Sequence, residues 1–184
     1  MRFPNYHLHT GTMDKHDLRH ELKAAVAAIP QQEKSIRAKK AIRLIEDNAL
    51  FKQAHSVMAF FPLPDEIDIS SALPRWADEK ELLLPAMENG LIVPKKYVPQ
   101  LVRGDFGVMQ PEGGPFPVDE IDCIIVPGLG FTLEGARLGR GKGCYDRFLA
   151  GTKASKMGLC FSEQILDWLI VEPHDIFMDF VTVA

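Results

Sequence analysis

Ile121-Asp122-Cys123-Ile124-Ile125-Val126 runs straight into Pro127-Gly128-Leu129-Gly130. Further on, the same stretch closes with Gly139-Arg140-Gly141-Lys142-Gly143-Cys144-Tyr145-Asp146-Arg147. A short apolar run halted by Pro-Gly is the pattern of a strand buried on both faces. The glycine-rich connection from Gly128 to Gly141 leads to a predicted helix over about Lys142 to Ala150. Strand, glycine loop and helix in that order are the building unit of an α/β sheet.

The flanks repeat the alternation. Upstream, Leu18, Leu22, Ala25, Val26 and Ile29 share one face of a predicted helix over Asp14 to Ile29, halted by Pro30. A second helix is predicted from Gln31 to Gln53, with Ala38, Ile42, Ile45 and Ala49 as its stripe. Ser56 to Phe61 reads as a buried strand. A helix near Asp68 to Glu79 is shortened by Pro74, and Leu82 to Leu84 is a strand closed by Pro85. Weak strands are expected near Leu91–Val93, Tyr97–Val98 and Phe106–Met109, then an exposed loop at 111–117. Downstream come a strand over Lys156–Phe161, a helix over Glu163–Leu169 capped by Ser162, and a final strand over Phe180–Val183. The expected fold is α/β, a single domain with a mixed, mostly parallel sheet covered by helices on both faces.

The 184 residues suit one such domain, large enough to fold without a disulfide or metal staple. Residues 13–184 are assigned to it; residues 1–12 read as a leader or extension, with Met13 as an alternative start. A net charge of −4 argues against a general nucleic-acid binder, so attraction for phosphate has to be local. No apolar run is long enough to span a bilayer, so no membrane partner is expected. Cys123, Cys144 and Cys160 form no CxxC pair, which fits reduced thiols in a cytoplasmic protein and gives a zinc site no support.

The local cations are in the glycine loop: Arg137, Arg140, Lys142 and Arg147. Bare backbone N–H groups between a strand and a helix, flanked by arginine and lysine, suit the phosphates of a nucleotide. Neither of the two common phosphate loops fits. Lys142 is followed by Gly143 rather than Ser or Thr, and Leu133 and Cys144 stand where a dinucleotide fingerprint would need glycine. A long glycine connection with a solvated basic face remains the alternative reading.

The stretch Gly139 to Arg147, preceded by Val126-Pro-Gly-Leu-Gly-Phe131, resembles the signature of the 5-formyltetrahydrofolate cyclo-ligases, also called 5,10-methenyltetrahydrofolate synthetases. Further matches follow in family order: Lys15-His-Asp-Leu-Arg19, Pro64-Asp-Glu-Ile67, Gly104-Asp-Phe-Gly-Val-Met-Gln-Pro111, and Glu172-Pro-His-Asp175 with Asp179. The resemblance implies ATP- and Mg²⁺-dependent conversion of 5-formyltetrahydrofolate to 5,10-methenyltetrahydrofolate, with ATP and a reduced folate as the partners and a monomer as the expected state. Carried over by position, Lys15, Arg19, Arg137, Leu138, Gly139, Arg140, Gly141, Lys142, Gly143, Cys144 and Tyr145 would bind ATP, with Lys142 or Arg140 nearest the transferring phosphoryl group. Phe61, Glu66 and the run Arg140 to Cys144 would meet the folate, and Asp146 and Asp175 would hold magnesium. Several of these have plainer readings: Lys15 and Arg19 as a solvated helix edge, Asp146 as an ion-pair partner of Arg147 or Lys142, Glu66 as a helix-start acid, and Phe61 as core. Cys144 departs from the family, which usually carries an aromatic there, and is read as a packing substitution rather than a nucleophile. A binding protein that has lost turnover, or another ATP-dependent transferase on the same scaffold, are the competing functions.

Overall fold

The structure is a computed structural model and describes residues 14–184. The expectation for residues 1–12 lies outside the described residues. The elements in chain order are α1 (Lys15–Ala28), α2 (Gln31–Asp47), α3 (Ala49–Gln53), β1 (Ser56–Met58), α4 (Leu73–Glu79), β2 (Glu81–Glu88), β3 (Leu91–Lys96), β4 (Leu101–Arg103), β5 (Met109–Pro111), β6 (Cys123–Pro127), β7 (Gly130–Phe131), β8 (Arg137–Leu138), α5 (Cys144–Leu149), β9 (Ser155–Cys160) and β10 (Phe180–Val183).

Six strands form the main sheet in the order β10-β9-β6-β1-β2-β3. Every neighbouring pair is parallel except β2 with β3, so the expected mixed, mostly parallel sheet is present. The order reverses in the middle. From β1 the chain moves one way, through α4 to β2; from β6 it moves the other way, through α5 to β9. Right-handed crossovers taken in opposite directions put their helices on opposite faces. Accordingly Trp76 of α4 packs with Val57, Leu82 and Ile125 on one side, together with residues of α1, α2 and α3. Phe148 and Leu149 of α5 pack with Met58, Leu83, Ile124 and Val126 on the other. Consecutive β1 and β6 residues alternate between these clusters, as the two-residue period of a strand requires. The N-terminal half of α1 seals a smaller cluster, in which Leu18 and Leu22 meet Leu138 of β8 and Leu166.

Several predicted boundaries give way to local chemistry. The long helix from Gln31 to Gln53 is two helices, because Asn48 turns extended and its side chain accepts the Leu50 N–H at 2.8 Å. The first strand ends at Met58, three residues short of Phe61. Pro85 does not close the second strand, which continues to Glu88. Pro85 faces Pro94 across the β2–β3 ladder, and Tyr97 N–H donates to Leu82 O at 2.8 Å. Antiparallel pairs alternate between bonded and non-bonded, so the two prolines meet where neither strand donates to the other. The weak strands expected at Tyr97–Val98 and Phe106–Met109 are displaced to β4 and β5. The connection from Gly128 to Gly141, expected to be open loop, contains the β7–β8 ladder, and α5 begins two residues later than expected, at Cys144. The helix expected over Glu163–Leu169 is a single 3₁₀ turn, Ser162–Gln164.

Asp122, just ahead of β6, fastens the two central strands at their start. Its carboxylate accepts N–H groups from His55 at 2.8 Å and Ser56 at 3.0 Å. The Ser56 bond leads in holding its carboxyl below the usual range, with the His55 bond adding to it. A lowered folded value makes this contribution complete above the ordinary carboxylate pKa and lost as pH falls through the folded one. Asp122→Asn is therefore expected to lower stability at neutral pH, with the gap to the parent closing on acidification. Urea unfolding at a series of pH values measures it, and a gap constant down to acid pH contradicts it.

Candidate active site

Open α/β sheets bind ligands outside the carboxyl ends of the strands where the strand order reverses. Here that point lies between β1 and β6, and a cleft of about 200 Å³ is found there. Phe60 and Phe61 reach it from the end of β1, and Pro127 and Gly128 from the end of β6. Pro85, Met87 and Ile92 of the β2–β3 hairpin, with Val108, make an apolar wall. Arg137, Gly139, Arg140 and the run Lys142 to Asp146 make the opposite, polar one.

The polar wall is held from beneath. Arg137 is buried, its side chain only 4% exposed, and it donates to Asp146 Oδ1 at 2.8 Å. Its guanidinium lies 5.5 Å from the Tyr145 ring centre. Arg137 Nε and the Tyr145 phenol oxygen are buried with no hydrogen-bond partner among the described residues. Burial, followed by the nearby Glu66 charge, pushes the phenol above its ordinary value. Arg19 on α1 donates from Nε to Gly139 O at 2.8 Å, and its guanidinium packs against Gly141. Gly141 and Gly143 take φ of 90° and 63°, a conformation that costs a side-chain-bearing residue about 1 kcal/mol or more. At the far end Arg147 donates to Lys142 O at 3.0 Å and Gly90 O at 3.3 Å, tying the loop to the tip of the β2–β3 hairpin. Gln164, buried beneath, donates to Gly128 O and Leu129 O at 3.1 and 3.0 Å.

Two carboxylates face Arg140 from the turn after β1. Asp65 accepts from both Nη atoms, and Glu66 Oε1 accepts from Nη2 at 2.9 Å. Glu66 Oε2 takes the Leu63 N–H at 2.9 Å. Burial pushes the Glu66 carboxyl up, against the pull of the Leu63 N–H and Arg140. Burial also opposes ionisation of Asp65, but its bonds to Arg140 prevail and hold it low. Beyond the loop, Lys15 pairs with Glu172 at 3.1 Å and Asp175 at 3.2 Å. Burial acts to raise the Asp175 carboxyl, yet the Glu172 N–H and Lys15 outweigh it and keep it low.

Residues 11–184 match the 5-formyltetrahydrofolate cyclo-ligase family. The chain belongs to that family. It is 26% identical to the 5-formyltetrahydrofolate cyclo-ligase of Mus musculus over 184 aligned residues, covering 90% of this chain and 91% of that protein. To the 5-formyltetrahydrofolate cyclo-ligase of Mycolicibacterium smegmatis it is 38% identical over 112 residues, a match spanning 54% of this chain and 58% of that protein. The solved structure of 5,10-methenyltetrahydrofolate synthetase from Aquifex aeolicus superposes with a TM-score of 0.85 at 33% identity, covering 93% of this chain and 90% of that one.

Within the family frame, Phe61, Glu66, Arg137, Gly139, Arg140, Lys142, Gly143, Cys144, Tyr145 and Asp146 line one cleft. Leu138 and Arg19 support the loop from the α1 side, and Lys15 and Asp175 form a separate pair one turn further along α1. Asp146 has an ion-pair partner in Arg137, while Arg147 donates to the Lys142 and Gly90 carbonyls. Cys144 Sγ sits 3.9 Å from Gly90 O, against the hairpin tip. Burial pushes Cys123 and Cys160 up to about 12, which leaves them inert packing groups. The β2–β3 wall, Asp65 and Gln164 were missed from sequence. Asp65 alone had a local signal, its place beside Glu66 in Pro64-Asp-Glu-Ile67.

Removing one partner of a buried pair strands the other charge. Asp146→Ala should cost about 3 kcal/mol of stability by urea unfolding, and Arg137→Met, which strands the less buried Asp146, should cost less. Equal stability of Asp146→Ala and the parent contradicts the pairing.

Proposed function

We propose that the chain converts 5-formyltetrahydrofolate to 5,10-methenyltetrahydrofolate at the expense of ATP, with ADP and phosphate as the other products. The observation that carries this is a cleft with two unlike walls at the strand-order reversal: apolar β2–β3 hairpin on one side, glycine loop with Arg137, Arg140 and Lys142 on the other. One wall suits a flat heterocycle and the other a triphosphate. Family membership supplies the reaction class.

A formamide is stabilised by resonance, and oxide is a very poor leaving group, so N10 cannot close on the formyl carbon unaided. The formyl oxygen attacks the γ-phosphorus of ATP, a new P–O bond forms, and the bond to ADP breaks. N10 then attacks the activated carbon and releases its proton as the C–O bond to phosphate breaks. The protein's task in this sequence is alignment and charge stabilisation, and no protein nucleophile is needed.

Lys142 and the backbone of Gly139 to Gly143 are assigned to the phosphates, with Lys142 nearest the group in transfer. Arg19 and Leu138 keep that loop in place from α1. Arg140 stands at the seam between nucleotide and folate, and Glu66 is assigned to the pterin, whose amino and ring N–H groups match a carboxylate. Phe61 and Cys144 complete the folate wall. Asp146 in the cleft wall and Asp175 beside Lys15 are the carboxylates assigned to magnesium, which usually takes one or two carboxylates plus phosphate oxygens. When bound there, magnesium would offset phosphate charge; Arg137 and Lys15 pair with the two carboxylates.

Purified protein with ATP, Mg²⁺ and 5-formyltetrahydrofolate should develop the near-ultraviolet absorbance of the methenyl product, and omission of ATP should abolish it. Lys142→Ala should lower the rate by about 100-fold or more with an unchanged unfolding midpoint. No product from the parent overturns the function, and parental rates from Lys142→Ala overturn the role of the lysine.

A further inference from the structure

Arg140 and Glu66 both line the cleft, whereas Asp65 does not. Asp65 nevertheless makes the stronger grip on the arginine: both of its carboxylate oxygens accept from the guanidinium, one from each Nη, while Glu66 has a single bond at 2.9 Å. A two-point bond to a planar fork fixes its rotation; a one-point bond leaves it free to swing. The Glu66 carboxylate is fixed at its other oxygen by the Leu63 N–H. The three side chains thus form a row, with Asp65 behind, Arg140 in the middle and Glu66 at the cleft. Two carboxylates against one guanidinium leave the row with an excess negative charge, which suits a ligand presenting N–H donors.

We propose that Asp65 is a positioning residue for the folate: by gripping the fork of Arg140 it holds the Arg140–Glu66 edge in the one orientation that receives the amino and ring N–H groups of a pterin. This rests on the folate reading of the cleft given above, and deepens it by naming the residue that sets the geometry from behind. The phosphates are assigned to the loop backbone and Lys142, none of which Asp65 holds, so the nucleotide should be nearly indifferent to Asp65.

The test is direct binding of 5-formyltetrahydrofolate and, separately, of ATP, to the full chain and to Asp65→Asn, Asp65→Glu and Arg140→Lys, followed by tryptophan fluorescence or calorimetry. Asp65→Asn should weaken folate binding about tenfold and ATP binding by less than about twofold. Asp65→Glu should recover most of the loss. Arg140→Lys, which keeps the charge but cannot bridge both carboxylates, should reproduce it. The acid limb of folate binding adds a readout that loss of packing would not move. Glu66 faces Arg140, Asp65 and the Tyr145 phenol, and the Asp65 charge is one of the influences holding its carboxyl up. Without that charge Glu66 stays ionised to lower pH, so the limb should shift downward in Asp65→Asn. Parental folate affinity with an unmoved limb in Asp65→Asn, or equal losses for folate and ATP, overturns the proposal. If the parent binds folate but yields no methenyl product, the turnover assigned above fails while the role of Asp65 is still read from affinity. If the parent binds no folate, both fall.

Discussion

Everything in this molecule follows from two adjacent parallel strands whose chains leave in opposite directions. Once β1 hands on to one side and β6 to the other, no helix can cover the ends of both, and a crevice between them is unavoidable. The chain fills its rim with what each strand exit provides. The β1 exit brings Phe60, Phe61 and the acidic turn with Glu66. The β6 exit brings the proline, the glycines and the cations. Opposite faces for α4 and α5, the two halves of the core, and the unlike walls of the cleft are consequences of that single reversal.

The electrostatics then solve a problem the reversal creates. Positive groups gathered along one loop repel one another. Three of the cations in and around the loop have carboxylates beside them: Arg137 has Asp146, Arg140 has Asp65 and Glu66, and Lys15 has Glu172 and Asp175. These charges are thereby held in place by the protein's own side chains. This accounts for how a chain of net charge −4 sustains a cationic loop.

Much of this was legible before any coordinates, for a physical reason. The strand over Ile121–Val126 and the glycine loop after it are local patterns, and local patterns can be read from neighbours in sequence. Most of the residues assigned to the loop line one cleft with Phe61 and Glu66, while Leu138 packs beneath against α1. What escaped depends on contacts between distant segments. Pro85 looked like a strand end because its tolerance rests on Pro94 facing it and on β1 having already stopped. The β7–β8 ladder is two residues long on each side and leans on Leu22 and Leu166, too short to carry a periodicity. The helix expected after Ser162 gives way to one turn because Gln164 is drawn inward to serve the carbonyls after β6. The partners of Arg140 lie more than seventy positions upstream, and no window along the chain contains both.

The bond between Lys15 and Asp175 spans almost the whole described chain. During synthesis α1 emerges first and must wait, with its lysine exposed, until the segment around Asp175 leaves the ribosome and β10 closes the sheet edge. Every residue lining the cleft lies between Phe60 and Asp146, so both walls are synthesised before the partner of Lys15 is. A chain stopped short of Asp175 would carry the residues of both walls and still leave the start of α1 without the bond that pins it.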